Sequence, residues 1–329
     1  MKHDDKIYVA GHSGLVGSAL VKALRSKGYR HIITRTHAEL DLTDPVAVKQ
    51  FFAQQKPDYV LLAAAKVGGI WANDNLPADF ILQNLQIQNN VILEAKDNHV
   101  KRLLFLGSSC IYPRQCPQPI LEEYLLTGPL EPTNRPYALA KIAGIEMCWA
   151  FNRQFGTQYL AVMPTNLFGP GDNYDLKTSH VIPALIRKMH EAKIAGDSEM
   201  VVWGTGTPKR EFLYSDDLAD ACVFLMNLPD EHFIPLVSST EIAPIINIGC
   251  GEDLTIAELA HLIAKVVGFE GKLHFDTSKP DGTPRKLLCV DKIHALGWRS
   301  NTPLVEGLAL AYRLFQEKTL TSPSRAVSV

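Results

Sequence analysis

The tightest constraint on the fold sits at the start of the chain. A short apolar run, Ile7-Tyr8-Val9-Ala10, passes directly into Gly11-His12-Ser13-Gly14-Leu15-Val16-Gly17, and Ser18 to Lys27 then carries a helical period. A strand, three glycines at three-residue intervals and an immediate helix make a turn in which main chain rather than side chains faces the ligand. The glycines let the backbone approach a pyrophosphate, and the first amides of the helix meet its charge. We therefore expect a dinucleotide site built from Gly11, His12, Ser13, Gly14, Leu15, Val16 and Gly17.

The rest of the first half repeats that alternation. Strands are expected at 31–34, 59–65, 103–106 and 159–163, with a long helix from Phe80 to Asn98 whose Asn84, Asn89 and Asn90 read as helix-face polar groups. Strands and helices alternating over short connections imply an α/β, Rossmann-type doubly wound parallel sheet. The small side chains of Ala63 and Ala65, at the end of the third strand, leave room for a cofactor. Beyond residues 164–171 the pattern loses regularity. A helix opens near Ser179, a strand fragment covers Val201 to Trp203, and Arg210-Glu211-Phe212 precedes a helix capped near Asp216. With 329 residues the chain is long enough for two lobes. We expect a dinucleotide-binding domain over 1–168 and 212–249, and a smaller substrate-binding lobe over 169–211 and 250–320. The polar chain from Thr319 reads as loose, with 321–329 as a tail.

Composition narrows the partners. A net charge of -2 without charge blocks argues against nucleic acid or an anionic membrane surface. No apolar stretch is long enough to span a bilayer, and the first residues lack the apolar core of a signal peptide. The six cysteines show no C-x-x-C pair and no His/Cys cluster, so no metal site is expected. They read as reduced thiols of a cytoplasmic protein.

Two groups carry candidate chemistry. Ser108 follows the apolar run Leu103 to Leu106, at a strand end where α/β proteins place their sites. Tyr137 and Lys141 follow Pro136 and share one helix face. A tyrosine hydroxyl titrates near 10, and lowering it to about 7 requires roughly 4 kcal/mol. An ammonium about 4 Å away supplies that amount at an effective dielectric of about 20. The expectation is a carbonyl-reducing set in which Ser108 orients the oxygen, Tyr137 protonates it and Lys141 lowers the tyrosine pKa.

At the adenosine end, the second strand is followed by Arg35-Thr36-His37 and no acid that would favour NAD. Arg35 can bind a 2′-phosphate or stand as an exposed loop arginine; the reading taken is NADP(H). Asp41-Leu42-Thr43-Asp44 reads as an adenine-side turn, with Asp44 or Thr43 capping the next helix.

Together, Gly11-x-x-Gly14-x-x-Gly17, Ser108, Tyr137-x-x-x-Lys141 and Arg210-x-Phe212 before Asp216-Asp217 resemble the extended short-chain dehydrogenase/reductase family. Ala63 to Gly69, Gly107 to Pro113, Pro164 to Leu167, Ser179 to Pro183 and Asp281 to Lys286 are similar, more narrowly, to its members that epimerise GDP-4-keto-6-deoxy-D-mannose at carbons 3 and 5 and reduce carbon 4 with NADPH. That resemblance implies a GDP-sugar substrate, with Cys110 as the base and His180 as the opposing acid. A thiolate pKa falls beside positive charge, and the Tyr137–Lys141 pair is near. It also implies cofactor contacts at His37, Asp41, Leu42, Ala63, Ala65, Leu106, Gly107, Ser108, Lys141, Pro164, Asn166, Leu167 and His180. Substrate contacts are implied at Ser109, Asn166, Lys188, Trp203, Arg210, Asp281 and Lys286, although Lys188 alone could be a solvated helix residue and Trp203 a core aromatic. Ser13 and His37 stand where members of the family often carry arginine. The family also implies a homodimer through a four-helix interface. Two rival readings remain: an NAD-dependent nucleotide-sugar 4-epimerase or dehydratase, and a non-catalytic dinucleotide-sensing protein.

Overall fold

A computed structural model of the protein describes residues 1–176, 178–279 and 281–321. The first half runs β1 (Lys6–Ala10), α1 (Leu15–Ser26), β2 (His31–Ile33), α2 (Pro45–Gln55), β3 (Tyr59–Leu62), α3 (Ile70–Asn75), α4 (Pro77–Asp97), β4 (Arg102–Leu106), α5 (Arg135–Phe155) and β5 (Tyr159–Pro164). It continues with β6 (Asn166–Phe168), α6 (Val181–Ala195), β7 (Glu199–Trp203), β8 (Lys209–Tyr214), α7 (Ser215–Asn227), α8 (Asp230–Val237) and β9 (Ile245–Ile248). The last elements are β10 (Asp253–Thr255), α9 (Ile256–Val267), β11 (Lys272–Asp276), β12 (Arg285–Lys286), α10 (Asp291–Ala295) and α11 (Leu304–Thr321).

The main sheet is wholly parallel, in the order β2-β1-β3-β4-β5-β9. Its inner strands β3, β4 and β5 are buried at every position, as is edge strand β9, and only Lys6 breaks the pattern in β1. A strand covered by helices on both faces has no solvent side to alternate toward, which explains the continuous apolar runs. Each fully buried leucine or phenylalanine of these runs contributes about 2 kcal/mol.

Two close approaches set the geometry of the site. A Cβ on Gly144 would collide with the Phe105 ring and come 2.9 Å from Gln88 Oε1. The missing side chain lets α5 press onto β4 and α4, and Gln88 Nε2 donates to the Ala140 carbonyl at 2.7 Å to lock the two helices. Lys141, one turn before Gly144, is thereby carried over the end of β4.

A second, smaller core packs α6, α9 and α11 against β7 and β8. In its sheet, β8 pairs with β10 antiparallel and with β12 and β6 in parallel. Residues 166–168 and 212–214 pair with each other, and Phe168, Phe212 and Tyr214 pack into the second core, while Leu288, Val290, Ile293 and Trp298 pack into the first. The chain thus passes between the two cores more than once, β6 and β8 joining the second and the segment after β12 returning to the first.

Three local expectations are corrected. The third strand ends at Leu62, leaving Ala63 and Ala65 in the following loop. Asp216 is not the cap of α7; it lies in the first turn and pairs with Lys22 of α1 at 2.6 Å. Helix α11 runs on through Thr321, so Thr319 is helical, and the remainder of the expected tail, 322–329, lies outside the described residues. Among the described residues no helix is long and apolar enough to cross a membrane. Nor do three or more His, Cys, Asp or Glu cluster there to hold a metal.

Candidate active site

The chain leaves β1 in one direction for β2 and returns on the other side for β3, so a crevice opens beyond the carboxyl ends of these strands. Gly11 lies there with φ of 84°, and a Cβ on it would stand 2.6 Å from the Ala64 amide nitrogen. A Cβ on Gly17 would overlap the Gly11 carbonyl, whereas Gly14 meets only that oxygen at 3.5 Å and faces open space. Gly14 is also the N-cap of α1, with no capping side chain and no acidic residue in the first turn. Unsatisfied amides and the positive end of the helix dipole therefore look outward beside Ser13, Leu15 and Val16. The buried His12 Nδ1 has no hydrogen-bond partner among the described residues. Glycine cradle, free amides and an unpartnered ring nitrogen fit the pyrophosphate of a dinucleotide.

The adenosine end is less open than expected. Arg35 Nη1 donates to the Thr34 carbonyl at 2.7 Å, and its guanidinium lies 5.6 Å from the Phe51 ring centre. His37 is exposed, 3.8 Å from Asp41. Asp41 makes a turn: its Oδ1 accepts from Thr43 N at 2.9 Å and Thr43 Oγ1 at 2.8 Å, which holds its carboxyl below the usual range. Asp44, not Thr43, caps α2 through Val46 N at 2.8 Å and Ala47 N at 3.2 Å. Leu42 is buried, and its carbonyl accepts from Asn90 Nδ2 at 2.9 Å.

The catalytic candidates gather where β4 ends. Past Leu106 and Gly107, Ser108 caps a single 3-10 turn at Ser109–Ile111 and its Oγ accepts from the Cys110 amide at 3.4 Å. The Tyr137 hydroxyl reaches Ser108 from α5 and is within the electrostatic influence of Cys110. Lys141 is buried, donates to the Leu106 carbonyl at 2.6 Å and lies 4.7 Å from the Phe105 ring centre.

The charges differ from the sequence-based expectation. Burial, with Cys110 adding to it, pushes the Tyr137 hydroxyl up rather than down, and Lys141 is not among the groups opposing this. Lys141 is itself pushed down to about 8 by burial. Desolvation also raises Cys110; the influence that lowers it most is Lys286, followed by the Ser108 hydrogen bond and Lys141. The sequence shows which groups meet. It does not show the solvent removed in bringing them together, and that loss of water dominates.

His180 is the N-cap of α6, at the start of the second lobe, and surrounding protein lowers its pKa although its ring stays reachable by solvent. The segment before it docks on the first lobe: the Gly69 amide donates to the Thr178 carbonyl at 3.0 Å. From the second lobe, Lys188 lies 4.8 Å from the ring centre of the exposed Trp203, and Lys279 lies 5.6 Å from it. Trp203 is thus not a core aromatic. Arg210 Nη1 donates to the Lys209 carbonyl at 2.7 Å. Asn166, just past Pro164 and before Leu167, donates its amide to the Glu211 carbonyl at 2.9 Å. Asp281 anchors its loop: its Oδ1 accepts from Thr205 N at 3.0 Å and its Oδ2 from Thr205 Oγ1 at 2.7 Å.

Sequence reasoning passed over Asn84. It is buried on α4, accepts from Lys66 N at 3.0 Å and donates to the Lys66 carbonyl at 3.0 Å and the Phe80 carbonyl at 2.7 Å. It pins the loop after β3 that receives Thr178. The available signal was its place on the buried face of α4, four residues after Phe80.

Residues 7–249 match the NAD dependent epimerase/dehydratase family. The chain is 57% identical over 309 residues to GDP-L-fucose synthase 1 of Arabidopsis thaliana, covering 93% of this chain and 92% of that one. It is 53% identical over 312 residues to GDP-L-fucose synthase of Escherichia coli K12, covering 95% and 97%. The fold is also that of the GDP-mannoheptose C4 reductase from Campylobacter jejuni with NADP bound, at 37% identity and a TM-score of 0.86 over 96% of this chain and 99% of that one.

Proposed function

Because the chain belongs to the NAD dependent epimerase/dehydratase family, in the branch of the GDP-L-fucose synthases, we propose that it epimerises GDP-4-keto-6-deoxy-D-mannose at carbons 3 and 5 and reduces carbon 4 to give GDP-L-fucose. The observation that carries this reading is the buried Cys110 thiol beside the Tyr137 hydroxyl and its Ser108 contact. A ketone reductase needs only the Ser, Tyr and Lys set; a proton-transfer group at the same strand end suits a substrate that must also epimerise.

The residues divide the work as follows. The Gly11–Gly17 turn would hold the cofactor pyrophosphate, Arg35 the 2′-phosphate of NADP(H), and the Leu106–Gly107 segment with Lys141 its nicotinamide end. When bound, that cofactor supplies the hydride for carbon 4. Ser108 and Tyr137 donate hydrogen bonds to the ketone oxygen, and these strengthen as charge develops there. With that oxygen held, Cys110 takes a proton from the neighbouring carbon and His180 returns one on the opposite face. Burial keeps Tyr137 protonated at neutral pH, the state required of the group that finally protonates the carbon 4 oxygen. Lys141 remains predominantly cationic below about pH 8.

NADP(H) rather than NAD(H) is supported by Arg35 and the absence of an acid after β2. A homodimer is supported by the exposed Leu82 and Leu93 on α4 and Leu139 on α5. A cytoplasmic setting is supported by six unpaired thiols. The test is incubation with the keto sugar nucleotide and NADPH in heavy water. Deuterium is expected at carbons 3 and 5 of a product that sugar NMR identifies as GDP-L-fucose; reduction with no deuterium at either carbon would sink the proposal. Interconversion without net NADPH consumption would favour a 4-epimerase instead.

A further inference from the structure

Strand β12 runs parallel to β8 with Lys286 opposite Arg210 and Arg285 opposite Lys209. Neighbouring residues of a strand point to opposite faces, so Lys286 and Arg210 share one face and Arg285 takes the other. Arg285 is closed there by a two-point ion pair with Asp253, at 2.6 and 3.3 Å. Lys286 lines a small pocket with Cys110 and Glu131, which Arg285, held by Asp253, also lines.

The strand carrying Lys286 is tied to the segment that follows Cys110. Leu287 N donates to Gln118 Oε1 at 2.9 Å, Ile120 N to the Leu287 carbonyl at 2.7 Å, and Cys289 N to the Ile120 carbonyl at 2.9 Å. These bonds hold the strand carrying Lys286 against residues 118–120, and the pocket brings Lys286 and Cys110 together although 176 positions (286 minus 110) separate them in the sequence.

The ammonium group of Lys286 has no hydrogen bond or ion pair among the described residues. Glu131, the carboxylate lining the pocket, is engaged by Arg114 at 3.2 Å. The remaining groups facing the pair are accounted for. Lys141 acts on Cys110 from α5 but donates to the Leu106 carbonyl, Tyr137 and Ser108 face the thiol, and Cys116 and Arg210 face Lys286. Lys286 is the strongest of the cations acting on Cys110, and Cys110 is the strongest charge acting on Lys286.

Resting on the epimerase reading above, we propose that Lys286 is the positioning residue of proton abstraction, its ammonium group stabilising the Cys110 thiolate as it forms. The thiol first releases its proton to solvent. The sulfur lone pair then takes the proton from the carbon beside the ketone, and the C–H electron pair moves into the enolate whose oxygen Ser108 and Tyr137 hold. Lys286 is thereby given a role in chemistry rather than in diphosphate binding alone.

The experiment follows Cys110 in the intact enzyme without substrate, by iodoacetamide labelling of its peptide read by mass spectrometry from about pH 6 to about pH 10. Lys286→Met is expected to raise the labelling midpoint by about one pH unit and to slow labelling at neutral pH about tenfold. Lys286→Arg, which keeps the charge, is expected to hold the wild-type midpoint. NADPH affinity reports that each variant is folded. An unchanged midpoint in Lys286→Met, with KM for the sugar nucleotide raised, would reduce Lys286 to a phosphate contact and overturn the proposal. A midpoint raised as far in Lys286→Arg as in Lys286→Met would overturn it too, because a structural disturbance would then explain both. Failure of the parent reading looks different: the unaltered enzyme would reduce carbon 4 with no deuterium entering at carbon 3 or carbon 5, whatever the labelling shows.

Discussion

Asn84→Ala removes a side chain that the sequence alone left as an ordinary polar group. Its amide closes a two-way bridge with the Lys66 backbone, at 3.0 Å in each direction, while its bond to the Phe80 carbonyl doubles a helix bond already present. Two neutral hydrogen bonds contribute about 1 kcal/mol each, and a poorly solvated Lys66 amide adds about 1 kcal/mol more, for about 3 kcal/mol in all. Unfolding entropy of about 2.1 cal/mol/K per residue over 329 residues gives about 0.7 kcal/mol/K, so Tm should fall by about 4 °C. The loop that loosens carries Gly69, on which Thr178 docks, and follows Ala63–Ala65 beside the Gly11 turn. KM for NADPH should therefore rise several-fold together with the fall in Tm. Differential scanning calorimetry and steady-state NADPH oxidation read the two effects. Asn90→Ala, which loses one bond to the Leu42 carbonyl, serves as the smaller comparison, at about 1 kcal/mol. If Asn84→Ala moved neither Tm nor KM beyond the Asn90→Ala values, the claim that Asn84 holds this loop would be wrong.

Cys110→Ser should abolish deuterium incorporation while leaving hydride transfer to a pre-epimerised keto sugar largely intact; equal loss of both would refute the division of labour. Asp172 is buried, accepts from the Asn173 amide at 2.8 Å and is pushed up to about 6, its other oxygen having no partner among the described residues. The folded state thus binds this proton more tightly than the unfolded one, so the group costs stability as pH rises from about 4 to about 6. Asp172→Asn should therefore raise Tm relative to wild type by an increment that grows from about pH 4 to about pH 7, with about 3 kcal/mol as its ceiling; an increment independent of pH refutes this. Arg35→Ala should raise KM for NADPH about tenfold and leave that for NADH unchanged; equal changes would remove Arg35 from the phosphate site. Leu82→Glu combined with Leu139→Glu should yield a monomer by analytical ultracentrifugation, and an unaltered mass would exclude this face as the dimer contact.

The sequence by itself determined the frame. Gly11, Gly14 and Gly17 after an apolar strand admit few conformations, and runs such as Leu103–Leu106 must be covered on both faces, so a parallel sheet with a dinucleotide crevice is legible from local pattern. The Tyr137–Lys141 spacing likewise reads directly as one helix face. Tertiary structure decided everything that depends on strands meeting across the chain or on water being removed. Asp281 meets Thr205, β6 joins β8 instead of the main sheet, and Lys286 shares a pocket with Cys110 through a strand contributed from near the other end of the chain. Above all, burial sets the protonation of Tyr137, Cys110 and Lys141, because desolvation is a property of the enclosing fold and has no signature in the spacing of the residues it acts on.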